Sequence, residues 1–246
     1  MVRQSATLLL MWILGIEGAA SPVRGLPRTR MAKAVAIGER PRIVLPHEPT
    51  VLGEAPDLPL LPLLDEDEEQ LVCSGKRLRW QQPPGRGGVG TGFAVCELHA
   101  DADDVWDALR SFDRYTELIP TVRTASYYEG PAGEPQDSDN VSRYSFLVSR
   151  IRLRLDVRFT VDDANRYAMW KLDRSSWVLS DSTGYWHVEQ CADRPGVVRV
   201  WFCVMVRLGK RVPRFVIQLV SRFGLDKATR WLTDLEQLPP ERNASG

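Results

Sequence analysis

The chain has 246 residues, 43% hydrophobic and 26% charged, with 32 Lys and Arg against 32 Asp and Glu. That composition fits one or two ordinary folded domains and excludes a generally basic nucleic-acid binder. Cys73, Cys96, Cys191 and Cys203 are too few for a disulfide scaffold and show no C-x-x-C spacing; with His47, His99 and His187 widely separated, neither a metal site nor a cofactor is expected.

The charge is unevenly laid. Residues 1–46 carry seven basic residues (Arg3, Arg24, Arg28, Arg30, Lys33, Arg40 and Arg42) against Glu17 and Glu39, the acidic-poor bias of targeting segments. Behind Arg3, the apolar run from Ala6 to Ile16 ends in Gly18-Ala19-Ala20 and is too short to cross a bilayer. It reads as a signal sequence, and the Arg-rich stretch from Ser21 to Arg42 as a transit peptide. The two together resemble the leader of plastids acquired through a second endosymbiosis, with a mitochondrial presequence or a plain secretory signal as alternatives. The expected location is an organelle.

From His47 to Gln70 the sign reverses: eight acidic residues, no Lys or Arg, and four prolines. Such a stretch has little to bury and is expected to stay extended, so 47–88 reads as a disordered linker, with Leu71 to Trp80 offering an edge segment. Gly85-Arg86-Gly87-Gly88-Val89-Gly90 matches G-x-G-x-x-G. A dinucleotide site needs that pattern between a strand and a helix, whereas here prolines precede it and a strand-like stretch follows; it reads as a hinge.

The folded domain is expected over 89–238, with a tail at 239–246. Thr91 to His99 is strand-like. Asp101 to Asp104 then supply an N-cap and acidic first turn for a helix through Val105, Trp106, Ala108 and Leu109, followed by a short helix at Arg114 to Leu118. Strands are expected at 122–129, 140–149, 150–161, 166–172, 183–192 and 197–207. In the clearest, Ile151, Leu153, Leu155, Val157, Phe159 and Val161 alternate with Arg152, Arg154, Asp156, Arg158 and Thr160, so one face should be buried and the other wet. Short connections such as Asp193-Arg194-Pro195-Gly196 indicate antiparallel hairpins and exclude a Rossmann or barrel α/β fold. Pro213 suits the first position of a closing helix, whose apolar stripe includes Phe215, Leu219, Phe223, Trp231, Leu232 and Leu235. The fold class is therefore α+β: a curved antiparallel sheet of about seven strands around a long C-terminal helix, with two short helices after the first strand. A sheet broader than its helix can fill leaves a cavity, and a persistent apolar cavity usually serves a ligand.

Three stretches carry a family likeness: Val105 to Pro120 (VWDALRSFDRYTELIP), Gly184-Tyr185-Trp186, and the strand from Val204 through Gly209 and Val212-Pro213 into the closing helix. They resemble the START-like (SRPBCC, helix-grip) superfamily, and within it the polyketide cyclase/dehydrase and lipid-transport group that includes coenzyme Q binding proteins. The resemblance implies an apolar cavity holding a lipid, a quinone or another isoprenoid. Its expected lining is Phe146, Leu153, Leu155, Trp170, Trp186 and Phe202 from the sheet, with Phe215, Leu219 and Phe223 from the helix; ordinary core is the competing role for each.

No Gly-x-Ser-x-Gly elbow is present, and His187, beside Trp186 on a strand, is expected to face the wet side. No catalytic residue is assigned. The arginine row Arg150, Arg152, Arg154 and Arg158, joined by Arg143, is either a solvated strand face or a surface for transient contact with anionic lipid. The leading expectation is a non-enzymatic binder or carrier of a hydrophobic small molecule. An aromatic cyclase-type enzyme and a chaperone-like assembly module are the alternatives.

Overall fold

A computed structural model describes residues 61–82, 89–130, 140–148, 153–210, 212, 225, 226 and 228–237. The leader at 1–46, the tail at 239–246, Arg150, Arg152, Phe215, Leu219 and Phe223 lie outside the described residues, as does most of the Gly-rich hinge.

In chain order the elements are α1 (Glu66–Cys73), β1 (Leu78–Gln82), β2 (Val89–His99), α2 (Ala102–Arg110), a 3-10 turn (Phe112–Arg114), α3 (Tyr115–Leu118), β3 (Val122–Tyr127), β4 (Val141–Val148), β5 (Leu153–Asp162), β6 (Tyr167–Leu172), β7 (Leu179–Gln190), β8 (Val197–Leu208) and a closing 3-10 segment (Arg230–Gln237) preceded by helical residues at 225, 226, 228 and 229. The eight strands form one sheet in the order β1-β2-β8-β7-β6-β5-β4-β3, with every neighbouring pair antiparallel. The expected α+β class and element order hold. The strand beyond the expected seven is β1, a hairpin partner laid along β2.

The pleat sorts the side chains of the central strands into two apolar layers. On one side Ala94, Cys96, Leu98, Trp186, Val188, Val198, Val200 and Phe202 meet Val105, Trp106 and Leu109 of α2 and Leu225, Trp231, Leu232 and Leu235 of the closing segment. On the other, Phe93, Val95, Tyr167, Met169, Tyr185, Trp201 and Cys203 meet Val72 of α1, with Leu61, Leu64, Leu78 and Trp80. α2 begins where the acidic run predicts: the Asp101 carboxylate accepts from the Asp103 N–H at 2.8 Å. α1 is capped twice over, by Asp65 accepting from the Glu68 N–H at 2.8 Å and by Glu68 accepting from the Asp65 N–H at 3.3 Å, a capping box with four acids in its first turn.

Two expectations are corrected. The acidic segment is not extended throughout: between 61 and 82 it forms α1 and β1 and covers the sheet's second face. That covering keeps the second face of the central strands from water, although Arg154 of β5 stays exposed on that face. Tyr167 and Tyr185 are fully buried there, and the His187 Nδ1 is enclosed, its imidazole held below the ordinary value by burial. Farther along, Asp156 and Thr160 of β5 are buried as well. Among the described residues no helix is long and apolar enough to cross a membrane.

Candidate functional site

The helix-facing side carries a continuous aromatic wall. Trp186 and Phe202 are register partners on β7 and β8, with ring centroids 4.3 Å apart. Trp170 of β6 stacks on Phe202 at 5.4 Å and lies 6.2 Å from Trp186. It reaches them because its neighbour across β7 is Gly184, where a Cβ would stand 2.3 Å from Trp170 Cζ2 and 2.3 Å from the Cys203 carbonyl oxygen. The glycine of the Gly184-Tyr185-Trp186 stretch is thus the residue that lets an indole lie flat across the sheet.

The wall continues through side chains of the helical elements. Trp231 of the closing segment meets Trp186 at 5.9 Å and Tyr115 at 6.0 Å. Tyr115 stacks on Phe146 at 5.7 Å, and Phe112 stacks on Phe159 at 3.7 Å. Tyr115 is buried with its hydroxyl donating to the Leu109 carbonyl at 2.6 Å; burial raises its phenol far above the usual value, so it serves as a neutral, satisfied wall residue.

Of the lining residues expected from sequence, Trp170, Trp186 and Phe202 come together directly, while Phe146 joins them through Tyr115 and Trp231. Leu155, register partner of Phe146, packs into the same aromatic cluster. Leu153 is half-buried opposite Val148 at the start of β5 and is not one of that cluster's side chains. Tyr115, Phe112, Phe159 and Trp231 were not singled out as wall residues. Phe159 shares the apolar face of the alternating strand, and Trp231 lies on the closing helix's stripe, but the turn at Phe112 and the second short helix, too brief for a periodic pattern, give no sign of which residues they turn inward.

The arginine row is neutralised where it is described. Arg154 Nε donates to Asp156 at 2.8 Å, Arg174 pairs with the other Asp156 oxygen at 3.6 Å, and Arg158 lies 4.0 Å from Asp173. Arg143 is wholly buried, with its Nε 3.3 Å from Asp173 and its guanidinium 2.7 Å from where a Cβ on Gly130 would stand. Asp173 also accepts from the Tyr128 hydroxyl at 2.8 Å. These positions form an ion-pair network that closes the β4–β6 end of the sheet.

A second network sits at the opposite edge. Glu97, buried on β2, accepts from Arg194 and from Arg199, the latter at 2.6 Å, and Arg199 reaches on to Glu69 of α1 at 3.1 Å. Burial pushes the Glu97 carboxyl up, but the hydrogen bonds from Arg194 and Arg199 outweigh it and hold the group below its ordinary value. Glu69, Cys73 and Glu97 each bring one ligand-type atom within 4.8 Å of the others, yet both carboxylates are engaged by guanidinium, which disfavours a cation there. The Cys96 and Cys203 thiols are pushed up to about 12 by burial, so neither supplies a nucleophile at neutral pH.

An antiparallel sheet with α2, α3 and a closing helical segment packed on one face defines the class as an α+β helix-grip arrangement. No protein-family model matches the sequence, and no curated protein matches it. Solved structures similar to it include a START superfamily protein from Mycobacterium smegmatis (14% identity, 61% of this chain and 99% of that one, TM-score 0.47). The Zhui aromatase/cyclase from Streptomyces sp. R1128 aligns at 13% identity over 69% of this chain and 99% of that one, TM-score 0.48. A STAR-related lipid transfer protein from Xanthomonas axonopodis aligns at 14% identity over 66% and 94%, TM-score 0.49. The likeness is one of fold alone.

Proposed function

We propose that this protein binds a hydrophobic small molecule, a lipid, quinone or other isoprenoid, between the sheet and the closing helical segment, and carries it without chemical change. The observation that supports this most is the wall formed by Trp170, Trp186, Phe202 and Trp231 on the helix-facing side. Each such ring offers on the order of 150–250 Å² of apolar contact, enough for a few to enclose a chain or ring system. The side chains that build the wall are aliphatic or aromatic, and the buried Tyr115 hydroxyl among them is already satisfied. That favours a binder over the cyclase reading, which needs a positioned acid or base facing the substrate.

The test is extraction and native mass spectrometry of the protein purified from its own cells. A stoichiometric apolar molecule, displaced when Phe202→Arg is introduced, is the expected result. A protein of unliganded mass that also fails to take up apolar fluorescent probes would overturn the proposal.

A further inference from the structure

Arg77 lies immediately before β1 and its side chain is only 13% exposed. Its Nη2 donates to Asp226 Oδ1 at 2.7 Å, while Nε and Nη1 are buried without a hydrogen-bond partner. The guanidinium acts on the Cys96 thiol, whose side chain belongs to the helix-facing core. Asp226 follows Leu225, which packs over Gly92 of β2. Arg77 is therefore held between the sheet's edge hairpin and the closing helical segment, at the margin of the apolar layer that carries the aromatic wall.

Among the described residues, Arg77 has no carboxylate to itself. Arg79 of β1 donates to the same Asp226 oxygen, so one carboxylate serves two guanidiniums. Arg230 repels Arg77 from the closing segment. Among the described residues, two guanidiniums thus share one carboxylate, and Arg230 adds a third positive charge. An arginine stays ionised at neutral pH even when desolvated, and a buried N–H without an acceptor is a standing cost. Carboxylates and phosphates are the groups whose oxygens match a guanidinium's donors.

We infer that the ligand is amphipathic, with an oxyanion head group, carboxylate or phosphate, held by Arg77 with Arg79 and Arg230 beside it, and an apolar body against the aromatic wall. This rests on the hydrophobic-ligand reading above, and the two are separable by experiment. Dodecanoate, dodecyl phosphate and dodecanol share one tail and differ in head group, so their affinities for the full chain, read by tryptophan fluorescence near neutral pH, isolate the head-group contribution. The two anions should bind at least about tenfold more tightly than the alcohol. Arg77→Gln should remove that margin and leave dodecanol binding unchanged. Equal affinities for the three overturn the head-group inference while leaving the hydrophobic reading intact; failure of all three to bind overturns both. Inorganic phosphate binding as tightly as dodecyl phosphate would mark a site for free anions, and the head-group inference would fail. Should Arg77→Gln not fold, the three-probe comparison in the unaltered chain carries the test.

Discussion

Gly184 stands where no side chain fits, with a carbonyl oxygen and an indole each 2.3 Å from where its Cβ would be. Because one of those neighbours is backbone, the strand itself must shift to admit a methyl group, and Gly184→Ala is expected to cost about 1–3 kcal/mol. Urea unfolding measures that cost, and a change in tryptophan emission would report displacement of Trp170. Glu97 makes a different prediction. Its carboxyl is depressed in the folded state by Arg194 and Arg199, so its contribution is fully present above the ordinary value of 4.5 and is lost as pH falls through the lower folded value. Stability should fall more steeply on acidification in the unaltered protein than in Glu97→Gln, which starts lower at neutral pH and has no such proton to take up. Parallel slopes in the two proteins would reject the assignment. Neither residue's role was legible from local sequence: Gly184 belonged to a recognised stretch, but the need for glycine appears only when β6 and β8 are laid beside it, and the arginines that hold Glu97 lie 97 and 102 positions away.

The elements were largely readable because each obeys a local rule. β5 alternates, α2 has its Asp cap and apolar stripe, and the turns use Asp, Asn, Pro and Gly, so their positions agree closely with expectation. α1 was missed for a physical reason. An acid-rich segment of eight residues has too few apolar groups to fold alone, but Val72 with Leu61 and Leu64 suffices once a finished sheet offers Tyr185, Trp201 and Phe93 as a surface. The alternation of β5 likewise reports the pleat and not what lies over each face: Arg154 is exposed as a solvated face requires, whereas Asp156 and Thr160 on the same face are buried. Val72 is fully buried, and Val72→Asp places an unpaired carboxylate under α1. The expected result is release of 61–76 to protease and a rise in binding of a hydrophobic dye, while far-UV circular dichroism of the sheet persists. Unchanged protease resistance would show that α1 does not depend on this contact.

At the scale of the molecule, the equal totals of acid and base conceal a division of labour. The acid-rich stretch meets the sheet through Glu69 and Arg199, and the described positive charge of β5 is absorbed by Asp156 and Asp173. Among the described residues, the guanidinium with buried, unpartnered donors is that of Arg77. We further propose that the basic leader directs the protein to an organelle, a plastid on the two-part reading. A fluorescent fusion of residues 1–70 should be organellar in the native cell, and a cytosolic signal would reject targeting.

By itself the sequence determined the α+β class, the antiparallel strand series and the side of the sheet that faces helices, because periodicity, caps and turns are written in neighbouring residues. Only the tertiary structure decided which aromatic rings meet, which charges are cancelled, and which guanidinium is left with buried donors. Those outcomes depend on side chains brought together from distant strands, where distance, desolvation and shared partners, and not residue type, set the energy.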